Sequence, residues 1–243
     1  MSRLASIVVG LLLLGILASP AEAVIEIGGL LTTDTTWTNQ DTILVTSTVV
    51  VADSVELTIQ PGTVILFNDI MSLNCTGQLQ ARGTESAPIV FTSSADTAGG
   101  SPEVGSWSGV NITVGGFGSL SYCTVRNATN AVRAYDAEVE IANCLIENFS
   151  LRGVDLYGIA GTAAARGTVR RSIIRQTAPD RQGTGIGIYA YRGSQLTAIQ
   201  TRIYHCGTGM DIYAVSSLEP SYEVVSCDLQ HHSLRAFYVH AGG

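Results

Sequence analysis

The sequence contains no lysine, and all 13 of its basic residues are arginines. Only 14% of the residues are charged, and the formal net charge is −7. We therefore expect no nucleic-acid partner, and a strongly anionic polymer is disfavoured as a ligand. The low charge also disfavours helices, because helix surfaces usually carry many Glu, Lys and Arg residues, and abundant Val, Ile, Thr and Gly favour β-structure.

Long apolar runs are scarce, and the one that stands out covers residues 7–17. Arg3 precedes this run and Ala21-Glu22-Ala23 follows it, which fits the pattern of a signal peptide with a small-x-small cleavage site. The run is too short for a comfortable membrane span. We predict a signal peptide over residues 1–23 and a secreted or cell-surface mature domain over 24–243, without a transmembrane span. An uncleaved N-terminal anchor is the alternative.

The five cysteines lack the C-x-x-C spacing that is typical of zinc sites. We therefore predict neither a metal site nor a cofactor. An odd number of cysteines leaves at least one thiol unpaired in an exported chain.

A short pattern recurs from position 109 onward and consists of a small residue, an apolar one, a variable one, an apolar one and usually a tyrosine. Its last residues are 22 to 32 positions apart. Alternating apolar positions indicate strands with one face turned inward. The six copies begin at Gly109, Ala131, Gly153, Gly185, Gly209 and Ala236.

A second strand pattern precedes the copies and ends in a polar turn. Its two columns are Cys123, Cys144, Ser172, Thr201 and Cys227, followed four positions later by Asn127, Asn148, Gln176, His205 and His231. Two short strands per period predict an all-β, single-stranded parallel β-helix whose coils stack like residues on like. The first column is expected to hold small, reduced side chains, with a Cys123–Cys144 disulfide as the alternative, and His232 is expected to face solvent. A leucine-rich repeat or a propeller does not fit this pattern and period.

The N-terminal half carries turn and core motifs that resemble those of secreted bacterial right-handed parallel β-helix proteins of the pectate-lyase-like superfamily. These motifs are LTIQPGTVILF at residues 57–67, G-x-L-x-A-x-G-T at 77–84, P-I-x-F-T at 88–92 and W-S-G-V at 107–110. The resemblance implies a right-handed solenoid over nearly all of the mature chain. It does not select an activity, because that superfamily includes lyases, hydrolases and adhesins.

The third and fifth positions of the recurring strand are expected to point outward. With the six copies aligned, the fifth-position column contains four successive tyrosines and the third-position column reads Asn111, Arg133, Asp155, Gly187, Asp211 and Tyr238. Aromatic rings beside carboxylates and guanidinium groups suit a carbohydrate, although β-propensity and cross-strand stacking also explain the tyrosines. The predicted ligand-binding face comprises Tyr135, Tyr157, Tyr189, Tyr213, Arg133, Asp155 and Asp211.

Two functions follow from this face. The first is a non-catalytic module that binds carbohydrate or serves a structural or adhesive role. The alternative is a polysaccharide lyase or glycoside hydrolase, for which the resemblance implies calcium held by Asp155 and Asp211, with Arg133 or Arg152 beside them. Those aspartates are expected two coils apart, roughly 10 Å, which is too far for one calcium with ligands at about 2.3–2.6 Å.

The sequence ends directly after the last strand copy, at Ala241-Gly242-Gly243. A solenoid normally covers its last coil, because a bare sheet edge and an open core favour aggregation. We therefore expect a further domain or a partner to cover the C-terminal coil.

Overall fold

The computed structural model describes residues 23–97, 100, 102–158, 165–177, 182–214 and 221–241. Every regular element in these ranges is a β-strand, and none of these residues forms a helix of the length and hydropathy needed to cross a membrane. Of the predicted signal peptide, only Ala23 falls within the described residues.

The strands pair in parallel and form three ladders that run along the solenoid. Strand β3 (Asp41–Val51) belongs to two of them, because its first half pairs with one neighbour and its second half with another. Strand β1 (Ala23–Leu31) pairs along β3 and covers the N-terminal end.

The first ladder, called sheet 1, contains eight strands. They are β2 (Thr35–Trp37), β4 (Glu56–Ile59), β7 (Gln78–Arg82), β10 (Phe117–Ser121), β13 (Glu138–Ala142), β16 (Arg166–Arg170), β19 (Gln195–Ile199) and β22 (Tyr222–Val225).

Sheets 2 and 3 each start from β3. Sheet 2 continues through β5 (Val64–Phe67), β8 (Ile89–Ser93), β11 (Cys123–Arg126), β14 (Leu145–Glu147), β17 (Ile173–Arg175), β20 (Arg202–Tyr204) and β23 (Asp228–Gln230). Sheet 3 continues through β6 (Ser72–Cys75), β9 (Gly109–Ile112), β12 (Asn130–Tyr135), β15 (Arg152–Tyr157), β18 (Thr184–Tyr191), β21 (Cys206–Ala214) and β24 (Arg235–Ala241).

Each coil therefore contributes one strand to each of three sheets, which confirms the parallel β-helix. The sequence pattern revealed only two strands per period, and the strand it missed lies in sheet 1. In β10 the missed strand reads Phe-Gly-Ser-Leu-Ser, so small residues replace the alternating large apolar ones that signal a strand. The inward neighbours still fill the core, because Gly118 leaves room for the side chain of Ile112.

The core consists of inward side chains stacked from coil to coil. In sheet 2, Ile65 pairs in register with Phe91, and Phe91 with Val125. The row continues through Ile146, Ile174 and Ile203, and all six side chains are buried. Each coil contributes only one side chain to this row, so that side chain is buried by those of the neighbouring coils.

The predicted column of small polar and thiol side chains is a hydrogen-bond ladder. Cys144 donates through Sγ to the carbonyl of Leu120 in the preceding coil, and its backbone N–H donates to Ser172 Oγ. Thr201 and Cys227 likewise donate to carbonyls of their preceding coils. Thiol and hydroxyl groups therefore make the same kind of hydrogen bond in this column. All five cysteines are free thiols, and none forms a disulfide.

The predicted amide column serves the turn rather than forming a continuous side-chain ladder. Asn127, Asn148, His205 and His231 have φ values of 63°, 54°, 60° and 54°, in the left-handed region that asparagine tolerates well. Asn127 donates to Thr92 in the preceding coil, whereas Asn148 accepts from Thr177 in the next. Gln176 is fully buried and donates to the Phe149 carbonyl instead.

The prediction that His232 faces solvent is wrong. Its ring is half-buried, and Nδ1 lies 3.3 Å from the carbonyl oxygen of Cys206. His231 is the exposed member of the pair, with its ring 5.3 Å from that of His205.

The predicted register of sheet 3 is wrong by two residues at β18. Asp155 pairs with Tyr189 and Tyr157 pairs with Tyr191, so Tyr189 and not Gly187 follows Asp155. The overlapping segments that begin at Gly185 and Gly187 both fit the repeat pattern, and packing decides between them. A Cβ on Gly187 would lie 2.6 Å from the Gly209 carbonyl oxygen, so a glycine is required where these coils approach each other.

The C-terminal coil leaves part of its inward surface uncovered. Phe237 and Val239 continue the inward rows of Met210 and Ile212, yet each is 46% exposed. That a domain or a partner covers these side chains stays a prediction.

Candidate functional site

The outer surface of sheet 3 carries an aromatic ladder of five side chains. Its members are Tyr135, Tyr157, Tyr191, Tyr213 and His240, and their ring centroids are 5.3, 5.1, 5.2 and 4.3 Å apart in that order. The spacing follows from parallel pairing, which places equivalent residues of adjacent strands about 4.8 Å apart.

Neighbouring rings of this aromatic ladder stack and so cover much of one another's faces. Tyr135 and Tyr157 are inclined by only 9°, and His240 stacks on Tyr213 at 28°. A sugar ring that stacks on an aromatic side chain needs a free aromatic face. Along most of the ladder, the rings therefore offer a ligand their edges and hydroxyl groups rather than a flat platform.

A charged cluster lies beside the aromatic ladder and is centred on Asp155. Arg133 Nε donates to one carboxylate oxygen at 2.7 Å, and Arg152 Nη1 lies 3.0 Å from both. Asp155 points outward, as its position in the strand predicts, but it is completely buried beneath the two arginines. The two arginines therefore shield this carboxylate, and a role of Asp155 in ligand binding stays a prediction.

Tyr189 joins the charged cluster because of the corrected register. The Arg152 guanidinium lies over its ring, 3.8 Å from the centroid, in a cation–π contact. Burial raises the pKa of the Tyr189 hydroxyl, so the phenol stays protonated at neutral pH. Asp155 and Tyr189 together fix the position of Arg152, which also borders a neighbouring cavity.

Asp211 forms a second polar centre on the other side of Tyr189. Its carboxylate lies 3.0 Å from Nε2 of His240, whose ring also meets Tyr238 edge to face. Arg235 lies over the Tyr238 ring, 3.7 Å from its centroid. The sequence placed His240 in the outward column but gave no sign of its bond to Asp211, because the two residues are in different coils.

A groove runs along sheet 3 near the first residues of strands β15, β18 and β21. A cavity of about 470 Å³ is bordered by charged Arg152 and Asp211 and by apolar Leu151, Ile186 and Leu234. A second cavity of about 180 Å³ shares Asp211, Leu234 and Thr208 with the first. The groove therefore spans several coils and mixes apolar with hydrogen-bonding side chains, and its larger cavity has the size of an ordinary ligand site.

The carboxylates of this face do not form a calcium site. Asp155 and Asp211 flank Tyr189 in the register, so they are two coils apart, as expected. Both oxygens of Asp155 are already held by arginines. In the described ranges no three His, Cys, Asp or Glu side chains converge into a metal-binding group.

Comparison with protein families fits this architecture. Residues 108–243 match the family described as right handed beta helix region. The chain belongs to the right-handed β-helix family. Residues 29–135 of this β-helix protein match a second family, described as pectate-lyase like beta helix domain. No curated protein and no solved structure matches the chain.

The structure brings together six of the seven residues predicted for the binding face, in two different ways. Tyr135, Tyr157 and Tyr213 lie in the aromatic ladder, while Arg133 and Asp155 form the charged cluster with Tyr189. Asp211 borders the groove. The sequence missed Tyr191, and a comparison of the two overlapping glycine patterns in β18 is the signal that would have found it.

Proposed function

We propose that this β-helix protein is a non-catalytic, secreted or cell-surface module that binds a carbohydrate chain in the groove beside sheet 3. The observation that carries the proposal is the mixed composition of the groove. Its lining includes apolar Leu151, Ile186 and Leu234 and polar Arg152, Thr208 and Asp211. Sugars present both C–H surfaces and hydroxyl groups, and such a lining offers partners to each.

The shape of the groove favours a linear chain over a compact ligand. Its two cavities share Thr208, Asp211 and Leu234 and follow the solenoid axis. Along the same axis the tyrosine rings of the aromatic ladder repeat at about the coil spacing. A repeating polymer meets a repeating set of partners in this arrangement.

The alternative of a lyase or hydrolase on this face is weaker. An inverting hydrolase needs two carboxyl groups about 6.5–9.5 Å apart with one of them free to act as a base. Asp155 is buried under Arg133 and Arg152, which leaves Asp211 as the accessible carboxylate of the pair. We therefore propose binding without catalysis.

The proposal is tested by binding of the purified protein to an array of neutral and acidic polysaccharides, followed by titration of the ligands that bind. We expect Asp211→Ala to weaken binding at least tenfold, because Asp211 borders both cavities. Asp228→Ala is the matched control, since Asp228 lies in sheet 2 and pairs with Arg202. Absence of any glycan ligand, or equal binding by both variants, would overturn the proposal. Release of shortened or unsaturated products would support the enzyme instead.

A further inference from the structure

Cys123 and Cys144 occupy equivalent positions in adjacent coils of the thiol and hydroxyl column. Their neighbours Thr124 and Leu145 pair in register, and the Cys123 backbone N–H donates to Cys144 Sγ at 3.4 Å. Both side chains are almost completely buried. The two cysteines therefore follow one another along the solenoid one coil apart, with Cys144 Sγ directed at the Cys123 backbone.

No other cysteine of the described ranges has a thiol as its neighbour in the adjacent coil. Cys75 pairs with Val51 and Ile112, and Cys206 pairs with Thr184. Cys227 belongs to the same column as the pair, but the preceding coil has Thr201 at that position. The Cys123–Cys144 pair is thus chemically distinct from the other three thiols.

A cavity adjoins this pair of residues. It has a volume of about 410 Å³ and is bordered by both cysteines. Glu85 and Arg171, of opposite charge, border it as well, together with Leu145. The pair therefore lies in the wall of a cavity, although both side chains are almost completely buried.

We propose that Cys123 and Cys144 form a two-coordinate site for a soft monovalent d10 cation, of which Cu(I) is the biological example. With the zinc–sulfur length of about 2.3 Å as a guide for a d10 cation, two collinear bonds span about 4.6 Å, close to the coil spacing of about 4.8 Å. Thiolates are the ligands that soft cations prefer. Binding replaces two S–H bonds by two S–Cu bonds and releases two protons, so the site changes from neutral to a net charge of −1 without oxidation. The Cys123 N–H directed at Cys144 Sγ stabilises that charge.

The site is tested by adding Cu(I) anaerobically to the reduced, purified chain in competition with a chromophoric Cu(I) chelator. We expect one tightly held Cu(I) per chain, and X-ray absorption should show two sulfur ligands. Cys123→Ser and Cys144→Ser should each weaken binding at least 100-fold. Both variants should fold, because Ser172 and Thr201 occupy this column in later coils; circular dichroism checks this point.

Cys227→Ser is the matched control, because Cys227 lies in the same column without a thiol neighbour. It should retain the affinity of the unmodified chain. Equal loss in all three variants, or a single sulfur ligand in the absorption spectrum, would overturn the proposal. So would a count of three free thiols in protein purified without reductant, if peptide mapping locates a disulfide between Cys123 and Cys144. None of these outcomes depends on whether the groove binds a glycan.

Discussion

Arg152 holds the buried carboxylate of Asp155 from within the same strand, with Nη1 at 3.0 Å from both Oδ atoms. The two residues are three positions apart in β15, and Arg133 completes the arrangement from the preceding coil. The cluster therefore links two coils on the outer surface, where apolar packing contributes little. Its location beside the groove makes its stability relevant to binding.

We expect Asp155→Asn to lower the free energy of unfolding by about 2–4 kcal/mol, because it leaves two facing guanidinium groups without a carboxylate. The arginines are 26–36% exposed, which reduces their mutual repulsion. Asp228→Asn removes a carboxylate from the exposed, 3.8 Å pair with Arg202 and should cost less than about 1 kcal/mol. Denaturant unfolding at neutral pH measures both. Equal effects would show that Asp155 is not the structural centre of the cluster.

The register of β18 is open to a direct chemical test. Tyr157 pairs with Tyr191, so cysteines at these two positions should form a disulfide on the outer surface under mild oxidation. Tyr157→Cys combined with Tyr189→Cys places the residues two positions out of register, at a diagonal Cα distance of about 7–8 Å. That distance exceeds the range of a disulfide, so the second double variant should stay reduced.

Peptide mapping after oxidation identifies the bond in each double variant and separates it from any bond between native cysteines. The reverse result, with efficient bonding only between positions 157 and 189, would restore the register in which Gly187 follows Asp155. Tyr213→Cys with Tyr191→Cys provides a positive control, because these positions also pair in register.

Alternation of apolar residues was sufficient to predict two of the three strands of each coil and the solenoid, since both follow from which face of each strand is buried. It was not sufficient to predict the register of β18. Registers that differ by two residues keep the same side chains inward, so the buried rows cannot distinguish between them. The close contact between Gly187 and the Gly209 backbone decides the register of β18. Such a contact exists only after the coils have stacked.

The candidate site shows the same limit. Tyr135, Tyr157 and Tyr213 were predictable as an outward column, because each ends a clear copy of the repeat. The burial of Asp155 was not, since it depends on two arginine side chains folding over the strand surface. The groove could not be predicted either, because its lining combines residues from the strands and turns of several coils.

Acid should loosen the C-terminal coil through His232. Burial lowers the pKa of this imidazole from its usual value, so the unfolded chain binds the proton more readily than the folded chain does. The stability that neutral His232 contributes is therefore present above pH of about 6.5 and is lost as the pH falls toward the lowered pKa. Hydrogen exchange of residues 221–241 should accelerate between pH 7.5 and pH 5 relative to earlier coils, after correction for intrinsic rates.

The matched variants for this effect are His232→Gln and His231→Gln. The first removes the buried imidazole and should flatten the pH dependence, whereas the second removes an exposed one and should leave it unchanged. An unaltered pH dependence in His232→Gln would assign the effect to other groups.

Export is predicted from residues 1–23 and has a measurable product. Expression of the full chain in a bacterium should yield a mature protein that begins at Val24 and lies outside the cytoplasm, because Ala21 and Ala23 supply the small residues of the cleavage site. Cleavage there removes the Ala23–Asp41 pair and keeps the rest of the pairing of β1 with β3, from Val24 opposite Thr42 onward. Intact-mass analysis identifies the N-terminus. Ala23→Arg should block processing and retain the precursor at the membrane, and if the unaltered chain also keeps Met1 there, the segment is an anchor.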